Sequence, residues 1–193
     1  MLDNMPRRKQ VLVQLDEELV GRLDELAGRA GMTPDERDAL KELRNALDQA
    51  TVVERRLRDR GEEIGPAVAA VLGPYRHYAL AHALLAALPV REAITTNYDR
   101  LFEDAWAVSD PDGLSVLPGS IKPDARRWLL KMHGCVNHEQ DIVLTREDFI
   151  RYASSRGALA GIVQALLITK HMLFVGFSLT DENFLRIVDE VRR

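Results

Sequence analysis

Three short runs carry side chains that could do chemistry together. Residues 94–99 read Ile-Thr-Thr-Asn-Tyr-Asp, residues 133–134 read His-Gly, and residues 176–178 read Gly-Phe-Ser. Each closes an apolar run. Thr96, Asn97 and Asp99 offer a hydroxyl, an amide and a carboxylate within four positions. His133 is the side-chain type that titrates near neutral pH, so it can give or take a proton. Gly176 leaves room for a backbone to approach a sugar or phosphate closely, and Ser178 adds a hydroxyl. Each run also has a plain structural reading. Thr, Asn or Asp before an amphipathic stretch is the usual helix cap, a task needing only one of them, and a lone His-Gly is commonly a turn. The order of the three runs favours a shared site.

That site needs elements to bring its parts together. Residues 90–94, 128–132 and 172–175 are short apolar runs bounded by polar or glycine-containing turns, the pattern of buried strands. Residues 142–144 form another such run. Amphipathic stretches follow them, with Leu101, Phe102, Ala105 and Trp106 at helical spacing after the first and Phe184, Ile187, Val188 and Val191 after the last. Strands alternating with helices predict an α/β fold, a Rossmann-like and mostly parallel sheet with flanking helices. In such a sheet the strands' carboxyl ends share one edge, where ligands bind.

Ahead of these runs, residues 10–15 alternate as a strand, and residues 17–30 form an apolar-striped helix ended by Gly31. Thr33-Pro34-Asp35-Glu36 is a capping box opening the next helix. Residues 35–60 read as strongly helical, with the charge run 54–60 as a solvated face. A short helix over 67–72 and a buried Ala/Leu-rich helix over 75–88 follow, carrying His77 and His82 as packing or surface residues. Residues 109–124 read as a turn-rich excursion over a pocket edge.

Composition removes whole classes of function. Apolar residues make up 46% of the 193 residues and charged residues 29%, which suits one globular domain with a real core. A net charge of −4 supplies little phosphate-binding charge for broad nucleic-acid contact. Cys135 is the single cysteine, so disulfides within the chain and zinc sites built on several thiolates are excluded. No apolar run is long enough to span a membrane, and the start Arg7-Arg8-Lys9 leads into an alternating segment rather than a signal peptide. The cytoplasm is the expected location.

Two resemblances follow from these residues. Residues 7–32, with a basic start, a short strand, Leu15-Asp16-Glu17-Glu18-Leu19 and Gly31-Met32, resemble the ribbon-helix-helix DNA-binding segment. That resemblance implies a paired ribbon presenting Gln10, Leu12 and Gln14 to DNA, although Arg37 and Asp38 depart from its second helix. The alternative is a generic strand-helix unit at the edge of the α/β domain. The chain therefore divides into a segment 1–32 and a domain 33–193.

Residues 94–101, 130–134 and 173–183 resemble the SIR2-like domain of bacterial proteins, relatives of the sirtuins that often act as NAD+ hydrolases in antiphage defence. The resemblance implies that Thr96, Asn97 and Asp99 face the nicotinamide side of NAD+ and its ribose. It gives Asn97 the attacking water and His133 the part of general base on a ribose hydroxyl. Gly134 joins the binding set, and Gly176 with Ser178 holds the adenosine-side ribose and phosphate. The zinc-binding cysteines of true sirtuins are absent, so neither zinc nor protein deacylation is expected. The family's Gly-Ala-Gly-x-Ser phosphate loop is also absent. Asp16-Glu17-Glu18 stands directly after the first strand, which makes the fold N-terminally incomplete by that pattern. A non-catalytic nucleotide-binding or DNA-tethered module is the alternative to NAD+ hydrolysis, and a homo-oligomer is left open.

Overall fold

Short apolar runs become strands here by pairing side by side in parallel. The computed structural model describes residues 9–13, 17–110, 113–177 and 179–193. Its strands are β1 (Lys9–Val13), β2 (Glu92–Thr95), β3 (Leu114–Leu117), β4 (Arg127–Lys131) and β5 (His171–Val175). They form one sheet in the order β3-β4-β2-β1-β5, and each neighbouring pair is parallel. Parallel neighbours need long crossovers, usually helical. Between β1 and β2 run α1 (Glu17–Arg29), α2 (Pro34–Lys41), α3 (Ala46–Arg58), α4 (Ile64–Leu72) and α5 (Leu80–Ala86). After β2 comes α6 (Leu101–Ser109), before β5 come α7 (Arg146–Ser155) and α8 (Gly157–Thr169), and α9 (Glu182–Arg192) follows β5.

The two-residue alternation of strands divides the core into layers. Ile94 and Leu130 pack with Phe149, Tyr152, Val163, Phe184 and Ile187 of α7, α8 and α9. Their neighbours Ala93 and Leu129 pack on the opposite face with Ala86, Phe102 and Trp106 of α5 and α6. A third cluster joins α1, α3 and α4 through Leu23, Leu26, Val53, Leu57 and Val68, and it reaches the strand ends through Tyr98 and Leu144. The expected α/β sheet with helices on both faces is the observed one.

Several local expectations change. β1 is an interior strand, hydrogen-bonded to β2 along one edge and β5 along the other. A two-copy ribbon needs a free strand edge, and β1 has neither edge free, so this placement runs against the ribbon-helix-helix geometry. α1 packs on α3 and α4. Residues 142–144 are buried but belong to no strand; their apolar character comes from covering the site. The excursion 109–124 contains β3, whose Ser115 is buried and accepts a hydrogen bond from the Lys122 N–H at 2.9 Å. The helical stretch 35–60 breaks at residues 42–45, where the Asn45 side chain caps α3 by accepting from the Leu47 N–H at 2.8 Å. The stretch 75–88 yields only α5, with Leu80 and Leu84 exposed.

The capping boxes at Thr33 and Thr145 form. The second matters more for the site, because Asp148 gathers the N–H groups of Leu144 and Thr145 at 3.1 and 2.9 Å. Thr145→Ala is expected to destabilise the chain by about 1 kcal/mol, which lowers the melting temperature by roughly 2–4 °C. Thermal unfolding beside Thr145→Ser, which keeps the cap, measures this.

Candidate active site

The register of the sheet sets the site's frame. Thr95 pairs with Lys131 and with Val13, and Val13 pairs with Val175, so four strand ends lie in one row. Residues 96–99, 132–134 and 176–177 therefore emerge from the same edge, as expected. Strands are about 4.8 Å apart, so the edge from β4 to β5 spans roughly 14 Å. The link after β1, residues 14–16, and Ser178 lie outside the described residues.

At the β2 end the chain is held by its own side chains. Thr95 Oγ1 accepts from the Asn97 N–H at 3.1 Å, and Asp99 Oδ1 accepts from the Leu101 N–H at 2.8 Å in the first turn of α6. Asp99 thus performs the capping task and also lines a solvent-open cleft with Arg100, Asp104 and Asn137. Asn97 is half-buried, whereas Thr96 is buried, and its Oγ1 has no hydrogen-bond partner among the described residues. Tyr98 is buried and donates its hydroxyl to the Val143 carbonyl at 2.8 Å.

His133 sits at the end of β4, 3% exposed. Its ring lies 5.1 Å from Phe149, 6.2 Å from Tyr152 and 6.4 Å from Tyr98, centroid to centroid. Its carbonyl accepts from the Val143 N–H at 2.9 Å. Residues 142–144 are thus a strap binding the Tyr98 turn to the His133 turn, and this accounts for their apolar sequence. Burial pushes the Tyr152 phenol above its ordinary value, so it stays protonated and donates to the Met132 carbonyl at 3.2 Å.

His133 Nε2 is 3.3 Å from Asp181 Oδ2. The other oxygen, Asp181 Oδ1, accepts from the Phe184 N–H at 2.7 Å and caps α9. The turn before it has left-handed residues at Gly176 (φ 61°) and Leu179 (φ 58°). A branched side chain is uncommon there and glycine is favoured. Asn183 is buried in the first turn of α9, with both amide atoms lacking a hydrogen-bond partner among the described residues. Phe177 packs edge-on against Phe184, 4.9 Å between centroids.

Gly134 is fixed by geometry. Its φ is 92°, and a Cβ built there would fall 2.3 Å from the Asp141 carbonyl oxygen. Gly134→Ala is expected to cost at least about 1–2 kcal/mol from the backbone conformation alone, with further loss from that overlap and displacement of His133. Urea unfolding of the variant checks it.

Sequence reasoning assigned no part to three residues here. Lys131, buried at the end of β4, makes an ion pair with buried Glu103 at 2.7 Å and donates to the Asp99 carbonyl. The signal was a lysine inside Trp-Leu-Leu-Lys-Met. Asp181 stands just before the last amphipathic run, and nothing local shows its reach to His133. Lys131 and Glu103 line a cleft of about 140 Å³ with Arg100, Gly134, Asn137 and His138. Among the described residues no group of three or more His, Cys, Asp or Glu is placed to hold a metal ion, and no helix is long and apolar enough to cross a membrane.

This edge, from β2 to the end of α9, coincides with a family match. The model of the SIR2-like domain matches residues 91–193, more than half of the chain. The chain belongs to the SIR2-like family. The SIR2-like chain is 35% identical over 115 residues to the NAD(+) hydrolase ThsA of Bacillus cereus (strain MSX-D12), covering 58% of this chain and 24% of that protein. It is 34% identical over 116 residues to the NAD(+) hydrolase ThsA of Enterococcus faecium, with the same coverage of 58% and 24%. It is 26% identical over 117 residues to the Defense-associated sirtuin 2 of Bacillus subtilis, covering 58% of this chain and 12% of that protein. The SIR2-like chain thus spans a quarter or less of the length of these relatives.

Proposed function

We propose that the carboxyl edge of the sheet binds NAD+ and hydrolyses its nicotinamide–ribose bond, and that this consumption serves defence against phage in the bacterial cytoplasm. The observation that carries the reading is the placement of Asn97 and His133 beyond adjacent strands β2 and β4 of one parallel edge, in a family whose relatives are named NAD(+) hydrolases.

In this reading the bond from the ribose C1′ to the pyridinium nitrogen breaks, and its electron pair leaves with nicotinamide. Water oxygen adds to C1′ and releases a proton. Positive charge builds on the ribose in the transition state, and oxygens of the Asn97 amide and Asp99 stabilise it electrostatically. Asn97 also positions the water. His133 acts as general base on a ribose hydroxyl, in a setting screened from solvent by Phe149 and Tyr152. Thr96, whose buried hydroxyl has no partner among the described residues, and Gly134 complete the nicotinamide side; Gly176 and Ser178 take the adenosine-side ribose and phosphate.

Nicotinamide release from NAD+ by the purified chain tests this, with Asn97→Ala beside it. Release by the wild type and about a 10²-fold or greater loss in the variant are expected; equal release by both would refute the assignment. A second reading, binding without turnover, draws on the sequence Asp16-Glu17-Glu18 standing where the family's Gly-Ala-Gly-x-Ser phosphate loop is expected. Heat on titrating NAD+ into the chain without nicotinamide release would favour that reading.

A further inference from the structure

We infer that Asp181 is the positioning residue for His133, holding its imidazole in one tautomer with Nδ1 as the proton-accepting nitrogen. The inference deepens the proposed NAD+ hydrolysis and rests on it for the consequence to turnover, while the tautomer itself is a property of the chain alone.

The geometry leaves the two nitrogens unequal. Nε2 of His133 lies 3.3 Å from Asp181 Oδ2, and the two side chains are only 4% and 5% exposed. The contact is an ion-pair approach rather than an aligned hydrogen bond; the field of the carboxylate favours the proton on the nitrogen facing it, which leaves the opposite nitrogen its lone pair. Asp181 cannot swing away freely. Its second oxygen is engaged by the Phe184 N–H at 2.7 Å, which ties the carboxylate plane to the first turn of α9. The His133 ring is confined in turn by Phe149, Tyr152 and Tyr98, and its backbone is fixed by the Val143 N–H and by the turn at Gly134. One aspartate therefore connects the strand ends of β4 and β5: it caps a helix with one oxygen and sets the state of a buried imidazole with the other. When His133 takes a proton at Nδ1, the same carboxylate stabilises the imidazolium.

The two tasks of Asp181 separate by substitution. Asn caps a helix about as well as Asp, whereas Ala loses roughly 1 kcal/mol. In Asp181→Asn the cap is kept and the anion is lost. The amide can also present its NH2 to Nε2, which would place the ring proton on Nδ1 and remove the base. Histidine side-chain nitrogen NMR on the isotope-labelled chain, with the His133 signal assigned by its loss in His133→Gln, reads the tautomer directly. The wild type is expected to show His133 protonated at Nε2, and Asp181→Asn to change that signal. In parallel, Asp181→Asn is expected to lower kcat for NAD+ cleavage about 10- to 100-fold, part of a general base's usual contribution, with KM and melting temperature near wild type. Asp181→Ala should lower both kcat and melting temperature. An unchanged His133 signal in Asp181→Asn would overturn the inference, as would wild-type kcat in that variant. A wild-type chain that shows the expected tautomer and its loss in Asp181→Asn, yet cleaves no NAD+, would support the positioning and count against the proposed reaction instead.

Discussion

His133→Ala is expected to reduce NAD+ cleavage by about 10²- to 10⁴-fold, the usual contribution of a positioned general base. The buried imidazole lies at the carboxyl edge of the sheet, beside the Tyr98 turn that carries Asn97 and Asp99. Alanine also removes a ring packed on Phe149 and Tyr152, so some stability is lost with the activity. His133→Gln keeps much of the volume and separates the effects: a glutamine variant that melts near the wild type and still fails to turn over NAD+ places the loss in proton transfer. Steady-state nicotinamide release at saturating NAD+ is the measurement, and retention of wild-type kcat in both variants would remove His133 from the chemistry.

The second large effect is on stability. Lys131→Met is expected to destabilise the chain by about 3–5 kcal/mol, because it leaves the Glu103 carboxylate buried without its cation. It also removes the donor to the Asp99 carbonyl, loosening the turn beside Asn97. Burial already pushes Glu103 above its ordinary value of 4.5, with Lys131 pulling it back. Without Lys131 the folded form holds that proton more tightly than the unfolded chain does. The deficit is therefore smallest in acid and grows as pH rises from 4.5 through the raised folded value. The double variant Lys131→Met with Glu103→Leu has no buried charge left, and is expected within about 1 kcal/mol of the wild type or above it. Urea unfolding at acidic and neutral pH checks the set. A single variant as stable as the wild type at neutral pH would show that the pair is not structurally required.

What could be read in the sequence followed from local physics. Apolar runs that stop on Thr-Asn-x-Asp, His-Gly and Gly-Phe-Ser identified β2, β4 and β5 and their shared edge; burial writes such a run in β2 and β4, whereas β5 is an edge strand that leaves Leu173 and Phe174 exposed. Thr33 announced its helix because capping is settled within four residues. β3 was hidden because the prolines and glycines around it write a loop, while its own Leu-Ser-Val-Leu is too short to outweigh them. Residues 142–144 looked like a strand for the converse reason: burial produces an apolar run whether or not the backbone joins a ladder. β1 shows the same limit at a larger scale. Alternation gives a strand, but it does not say which edges are paired, and the interior position between β2 and β5 is a tertiary fact. The same holds for Asp181, whose capping role is local and whose approach to His133 depends on the order of strands.

The central claim is that this edge of the sheet breaks the nicotinamide–ribose bond with Asn97 and His133 in place. Its most direct test is the rate of nicotinamide release from NAD+ by the purified chain, measured side by side for the wild type, Asn97→Ala and His133→Gln. Steady release by the wild type with loss of about 10²-fold or more in each variant is the predicted result; release at the same rate by all three would contradict it.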